Sequence, residues 1–261
     1  MISIPDVVPP LAREHTWKRN VAPAAALDWL SAGWRDFHIN PVASISYGVL
    51  VFLVSVITVV GLFALRLDYI LLPAFAGFMV AGPIIGIGLY EKSRRIEDSK
   101  PASLWQMIFV KPESGGQILF AGVLLFLLTL LWMRAAVILY ALFFGLRPFP
   151  GLDRIVPMLF TTEIGWAMLV VGSAVGGLFA AFAFAISAFS IPMLLSERTD
   201  ALTAMGTSMA LVWNNLPVML TWAAIMLALI VLGIATGLLG MIVIFPVLGH
   251  GSWHAYRAMR L

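Results

Sequence analysis

Residues 201–256 read "ALTAMGTSMALVWNNLPVMLTWAAIMLALIVLGIATGLLGMIVIFPVLGHGSWHAY", and no Asp, Glu, Lys or Arg interrupts them. The run is too long for one membrane helix, because about 30 Å of hydrocarbon is crossed by about 20 residues. Pro217 opens one apolar span. Ala235-Thr236-Gly237 is the turn, and a second span runs back to about Trp253. This pair of helices sets the pattern for the rest of the chain.

Composition agrees. The residues are 61% hydrophobic and 11% charged, with a mean hydropathy of +0.99. A soluble domain carries about 25% charged residues. There is no cysteine, which removes disulfides, iron–sulfur clusters and thiolate zinc sites. Residues 1–20 hold adjacent prolines and no continuous apolar core. They read as a flexible arm rather than a signal peptide. Residues 21–261 then form a single membrane domain.

Four further spans precede the last two, near 44–65, 70–90, 117–144 and 164–195. The expected fold is therefore all-α, with six transmembrane helices arranged as three hairpins. Lys and Arg divide unevenly between the two ends. Twelve fall on the side of the arm, the 92–111 and 198 loops and the tail, against Arg66, Arg147 and Arg154 on the other. Positive charge stays in the cytoplasm, so both termini are expected there.

Three segments resemble each other. "LDWLSAGWRDFHINP" ends at Pro41, "ASLWQMIFVKP" at Pro112 and "ALTAMGTSMALVWNNLP" at Pro217. Each reads as a short amphipathic helix lying at the cytoplasmic interface before a hairpin. In the first, Leu27, Leu30, Trp34 and Phe37 share a face; in the third, Leu202, Met205, Met209 and Val212 do so. Ser103 and Gln106 have capping-box spacing. The repeat units would be about 21–98, 99–198 and 199–261. Gly82/Gly86, Gly172/Gly176 and Gly233/Gly237 have the spacing of close helix contacts.

Arg134 is the one charge deep in a span, where it costs at least about 2.5–3.5 kcal/mol. It should face the bundle interior and find acceptors on the fourth span near Ser173, Gly172, Gly176 and Gly177. It is read either as a structural arginine or as an anion site. With no second ionisable group in the spans, a proton relay is not expected. His250 and His254 fall on one face at the end of the last span. They are weak candidates for a metal or haem site, since zinc wants three or four ligands. The plainer reading is of interfacial histidines among Trp253, Tyr256 and Arg257. No catalytic motif is present, so no enzyme activity and no cofactor are expected.

"WLSAGWRDF", "GLYEKSRRIE", "WMRAAVILYALFFG", "FAISAFSIPMLL" and "GHGSWHAYRA" together resemble the bacterial membrane family called domain of unknown function 2189. The resemblance runs over about residues 25–258. It implies a multi-pass protein of the bacterial inner membrane and supplies no activity. Trp34, Arg35, Asp36, Glu91, Arg134, His250 and His254 stand within its motifs. The leading functional expectation is a non-enzymatic scaffold or accessory subunit, in contact with lipid or a larger membrane complex and not with nucleic acid. Alternatives are a small-solute or anion transporter using Arg134, and a haem- or metal-binding protein using His250 and His254.

Overall fold

A computed structural model of the protein describes residues 17–145 and 149–260. Every regular element among them is helical: α1 (Ala25–His38), α2 (Pro41–Ala64), a 3-10 turn (Asp68–Ile70), α3 (Leu71–Ile85), α4 (Ile87–Glu97) and α5 (Leu104–Ile108). There follow α6 (Gly115–Phe144), α7 (Leu152–Thr161), α8 (Glu163–Ser187), α9 (Ser190–Ser196), α10 (Ala201–Asn214), α11 (Leu216–Ala235) and α12 (Met241–Arg260).

Four segments are long and apolar enough to cross a membrane: Pro41–Ala64, Gly115–Phe144, Glu163–Ser196 and Leu216–Ala235. The other two expected spans are shorter. The second is broken into α3 and α4 at Gly86, behind Pro83. In the sixth, only Met241–Leu248 is continuously apolar ahead of His250, although α12 itself continues to Arg260. Breaking a helix in an apolar setting frees backbone groups that must find new partners. Tyr47 donates its hydroxyl proton to the Ile85 carbonyl at 2.6 Å, covering the α3–α4 break. Ser208 of α10 does the same where α8 gives way to α9. Its hydroxyl donates to Ala185 O at 2.7 Å and accepts from Phe189 N at 3.1 Å.

The first and last described segments, around Arg19 and Met259, lie at the same end of the bundle. Arg19 donates from Nε to Met259 O at 2.8 Å, and its backbone N–H donates to Asn215 Oδ1. The loop after α4, the stretch before α6 and the loop after α9 gather there too. Glu113 N donates to Leu195 O, Arg257 pairs with Glu97, and Glu197 takes a two-pronged ion pair from Arg260. The segments assigned to one side from their positive charge thus share one end. Arg66 and Arg154 belong to the other end, where the rings of Tyr69 and Tyr140 both pack at a tilt against Phe149. Arg147 and residues 1–16 lie outside the described residues.

The three short repeat helices form, but their sequels differ. Pro41 and Pro217 stand in the first turns of α2 and α11, whereas α6 begins at Gly115, beyond Pro112. The capping box is present, with Ser103 N donating to Gln106 Oε1 at 2.8 Å. In α1 the face facing the core is Ala26, Trp29, Ala32, Gly33, Asp36 and Phe37. Leu27 and Trp34 point outward instead, so the supposed single apolar face is divided. The same division occurs in α10, where Met205 and Val212 are buried while Leu202 and Met209 are exposed. The amphipathic α7, with Ile155 and Leu159 inward, was not foreseen.

Glycine contacts also differ from expectation. Gly82 and Gly172 face open space, and Gly176 meets only the ring of Trp132. Several close approaches gather around α12, besides those of Gly88 to the Met107 carbonyl and Gly165 to the Met158 carbonyl. Gly48 of α2 lies against the Ile242 carbonyl, Gly33 of α1 against the Val247 carbonyl and Gly251, and Gly249 against Leu89 of α4. These missing side chains let α1, α2 and α4 converge on α12.

Candidate functional site: a buried polar chain at the helix junction

The convergence on α12 encloses polar side chains at the end that carries the termini. Asp36, Ser44, Lys92, Ser93 and His250 are all buried, Ser44, Lys92, Ser93 and His250 with no exposed surface. They come from four helices. Burying ionisable groups is tolerated when they are paired and hydrogen-bonded, and here each has a partner.

Lys92 of α4 donates from Nζ to Ser44 Oγ at 2.7 Å and to Asn40 O at 3.1 Å. Asn40 joins α1 to α2 in a left-handed conformation (φ 56°), which asparagine tolerates better than most residues. Its side chain donates to Ala102 O and so ties the joint to α5. Ser44 Oγ is 3.0 Å from His250 Nε2. On the other edge of the ring, Nδ1 lies 2.9 Å from Ser93 Oγ and 3.2 Å from Leu89 O. Ser93 donates to Asp36 Oδ2 at 2.6 Å, and the same carboxylate oxygen is 2.9 Å from His254 Nε2.

The donors can be assigned from valence. Leu89 O can only accept, so the proton of His250 is on Nδ1. Ser93 spends its own proton on Asp36, so it accepts from Nδ1–H. The ammonium of Lys92 can only donate, so Ser44 accepts from it and donates its own proton to the bare Nε2. His250 is thus a neutral ring. A second proton would place an imidazolium beside the Lys92 ammonium. Every hydrogen bond in the series Lys92, Ser44, His250, Ser93, Asp36 then points the same way.

Electrostatics fits this assignment. Desolvation pulls the Lys92 ammonium down from 10.5 to about 8, although the Asp36 carboxylate works in the opposite direction. Burial would raise the Asp36 carboxyl. The hydrogen bonds from His254 and Ser93 outweigh that and hold it below its ordinary value. His254 is the wet end of the series, with its side chain 23% exposed against 8% for Asp36.

A second cluster closes the same end. Glu197 accepts from Tyr256 at 2.6 Å and from Arg260 at 2.8 and 2.9 Å, and these bonds keep its carboxyl below the usual range. Glu91 pairs with Arg94 at 2.7 Å and with Arg95 at 3.5 Å.

The candidates named from sequence therefore separate. His250 and His254 are close to Asp36, but no group of three His, Cys, Asp or Glu side chains fit for a metal is found among the described residues. Their partners are hydroxyls, a carbonyl and one carboxylate. Arg134 is not a buried charge. It is exposed, and among the described residues its side chain has no hydrogen-bond or ion-pair partner. It stands 19 positions beyond Gly115 on an outward face of α6, with ten further helical residues before the helix ends at Phe144. Trp132, two positions earlier, donates from Nε1 to Pro73 O of α3. Ser44, Lys92 and Ser93 went unrecognised in the sequence, and Asp36 was named only as part of a family motif. The repeat of hydroxyl and charge in "EKSRR" beside "WRDF" was the only trace of them.

Together the apolar helices and their shared polar end define an all-helical, multi-pass integral membrane protein. Over residues 71–196, from α3 to α9, the chain is similar to the family described as "Predicted integral membrane protein", domain of unknown function 2189. The match spans three of the five motifs on which the resemblance rests, and includes Lys92 and Ser93. Asp36, Ser44, His250 and His254 lie outside it. No curated protein and no solved structure is similar to the chain.

Proposed function

We propose that the protein is a non-enzymatic scaffold or accessory subunit of a bacterial inner-membrane complex, with both termini in the cytoplasm. One observation carries this reading. Three short helices at the termini end each lock one face into the core and leave a large aromatic face open. Trp34 of α1 is 49% exposed, Trp105 of α5 70% and Trp213 of α10 72%. Trp105 stacks on Phe109, which is itself open. Tryptophan at this position suits the headgroup layer or the apolar centre of an interface.

The interior supports a presenting role better than a reacting one. Two cavities among the described residues are apolar. One of about 400 Å³ lies between α3 and α6, lined by Ile84, Gly122 and Phe126, and opens sideways. One of about 20 Å³ lies under Trp132 and Gly176. Neither touches the buried polar chain, and Arg134 does not line either. In this reading α2, α6, α8 with α9, and α11 cross fully, while α3 and α12 return the chain as shorter helices.

Native isolation from membranes in mild detergent tests the proposal. Wild-type protein should co-migrate with a partner or retain tightly held lipid. The Trp105→Ala/Trp213→Ala variant should lose that association at an unchanged unfolding temperature. A wild-type protein recovered as bare monomers would overturn the reading.

A further inference from the structure

The aligned series Lys92, Ser44, His250, Ser93, Asp36 is more than a clasp. We infer that it is a proton relay, which carries a proton between the enclosed ammonium of Lys92 and the water-facing pair Asp36–His254. Its links measure 2.7, 3.0, 2.9 and 2.6 Å in order, and the last contact, Asp36 to His254, is 2.9 Å. The inference does not depend on the scaffold reading.

The transfer balances. Lys92 gives one N–H proton to Ser44 Oγ as Ser44 gives its own to His250 Nε2. Nδ1 gives its proton to Ser93 Oγ as Ser93 gives its own to Asp36 Oδ2. Each intermediate loses one proton and gains one. Lys92 ends neutral, Asp36 ends as the acid, and His250 ends as the other tautomer. Asp36 then loses its proton to water at the His254 opening. The Leu89 carbonyl sets the resting direction. At 3.2 Å it accepts from Nδ1–H, and after transfer it would face a bare nitrogen. That repulsion favours return of the proton to Nδ1.

The surroundings isolate the path. α2, α3, α5, α9 and α11 carry no charged side chain. On α1, Arg35 and His38 lie on the exposed face, and on α4 Glu91, Arg94 and Arg95 pair among themselves. Arg257 of α12 pairs with Glu97. Asp36 is therefore the only carboxylate in direct hydrogen-bonded line with Lys92 among the described residues.

Hydrogen–deuterium exchange tests this on the full-length protein in lipid nanodiscs, using labelled lysine and histidine observed by NMR. A side chain with no exposed surface normally exchanges only when the fold opens, as fast as neighbouring buried amides do. With a relay, the Lys92 ammonium and His250 Nδ1–H exchange much faster than the backbone amides of Lys92 and His250. Ser93→Ala should slow Lys92 exchange by about tenfold or more, the factor that about 1.4 kcal/mol of added barrier gives. Ser93→Thr, which keeps a hydroxyl, should restore it. Should the alanine variant fail to fold, the wild-type comparison of Lys92 with its neighbouring amides still decides. Lys92 exchange that merely matches those amides, or is the same in Ser93→Ala, would overturn the relay.

Discussion

Ser93 of α4 and Asp36 of α1, 57 positions apart in the sequence, are joined by a buried O–H···O bond of 2.6 Å. That bond, with the His254 contact on the same oxygen, fastens α1 to the α4–α12 pair. The carboxylate also balances the charge of Lys92, whose own side chain has no exposed surface. Removing one member of such a set leaves the other charge uncompensated, which typically costs about 3–5 kcal/mol. Asp36→Ala should therefore be severely destabilising. Asp36→Ala combined with Lys92→Met should recover much of the loss, with a coupling of about 0.5–3 kcal/mol in a double-mutant cycle. Thermal unfolding in one detergent checks both; additive losses would show that the two charges do not sense each other.

The pH dependence follows from Lys92. Its ammonium titrates at about 8 when folded and at 10.5 when free. Between those values the unfolded chain holds the proton that the folded chain has released. Stability should accordingly rise with pH across that window, by on the order of 3 kcal/mol. The contribution is read as wild type minus Lys92→Met, which cancels the other titrating groups. Asp36 works at the acid end. Its folded carboxyl lies below 3.8, so its contribution is present above that value and disappears as pH falls further. A difference curve that is flat from pH 8 to 10.5 would contradict the burial of Lys92.

Glycine substitutions should separate the contact surfaces. A Cβ at Gly48 or Gly33 would strike backbone carbonyls of α12, which cannot swing aside as a side-chain tip can. Gly48→Ala and Gly33→Ala should each cost about 1–3 kcal/mol or more. Gly82→Ala and Gly172→Ala meet nothing and should be neutral or slightly stabilising. Equal effects at all four positions would mean that α12 is not the centre of the packing.

Much of the fold was legible because membrane crossing leaves a strong linear signal. The charge-free run 201–256, the turn at 235–237 and the clustering of positive loops could each be read from one stretch of chain. The two short returning helices were harder. Their apolar length is supplied partly by neighbours, as the Tyr47 hydroxyl on the Ile85 carbonyl illustrates. The buried polar chain was not legible at all. Asp36 looked like the polar face of an interfacial helix, and Lys92 like one of several loop cations. Only the glycine-mediated approach of α1, α2 and α4 to α12 brings them together. Arg134 misled for the opposite reason. An apolar run defines a span without fixing which of its faces turns inward.

Arg134 yields a prediction of its own. An exposed guanidinium with no partner among the described residues has little to lose. Arg134→Gln should change the unfolding free energy by no more than about 0.5 kcal/mol. A loss of several times that amount would mean that this side chain turns inward after all.

The state of the His250 ring decides whether the polar chain exists as described. Nitrogen-15 NMR of histidine-labelled protein reports which ring nitrogen carries a proton. The expected result is a neutral ring with hydrogen on Nδ1 and none on Nε2, unchanged from about pH 5 to 8, where an exposed histidine titrates. Ser44→Ala should shift the Nε2 resonance and Ser93→Ala the Nδ1 resonance. A ring protonated on Nε2, or one that becomes doubly protonated within that range, would contradict the assignment and the relay built on it.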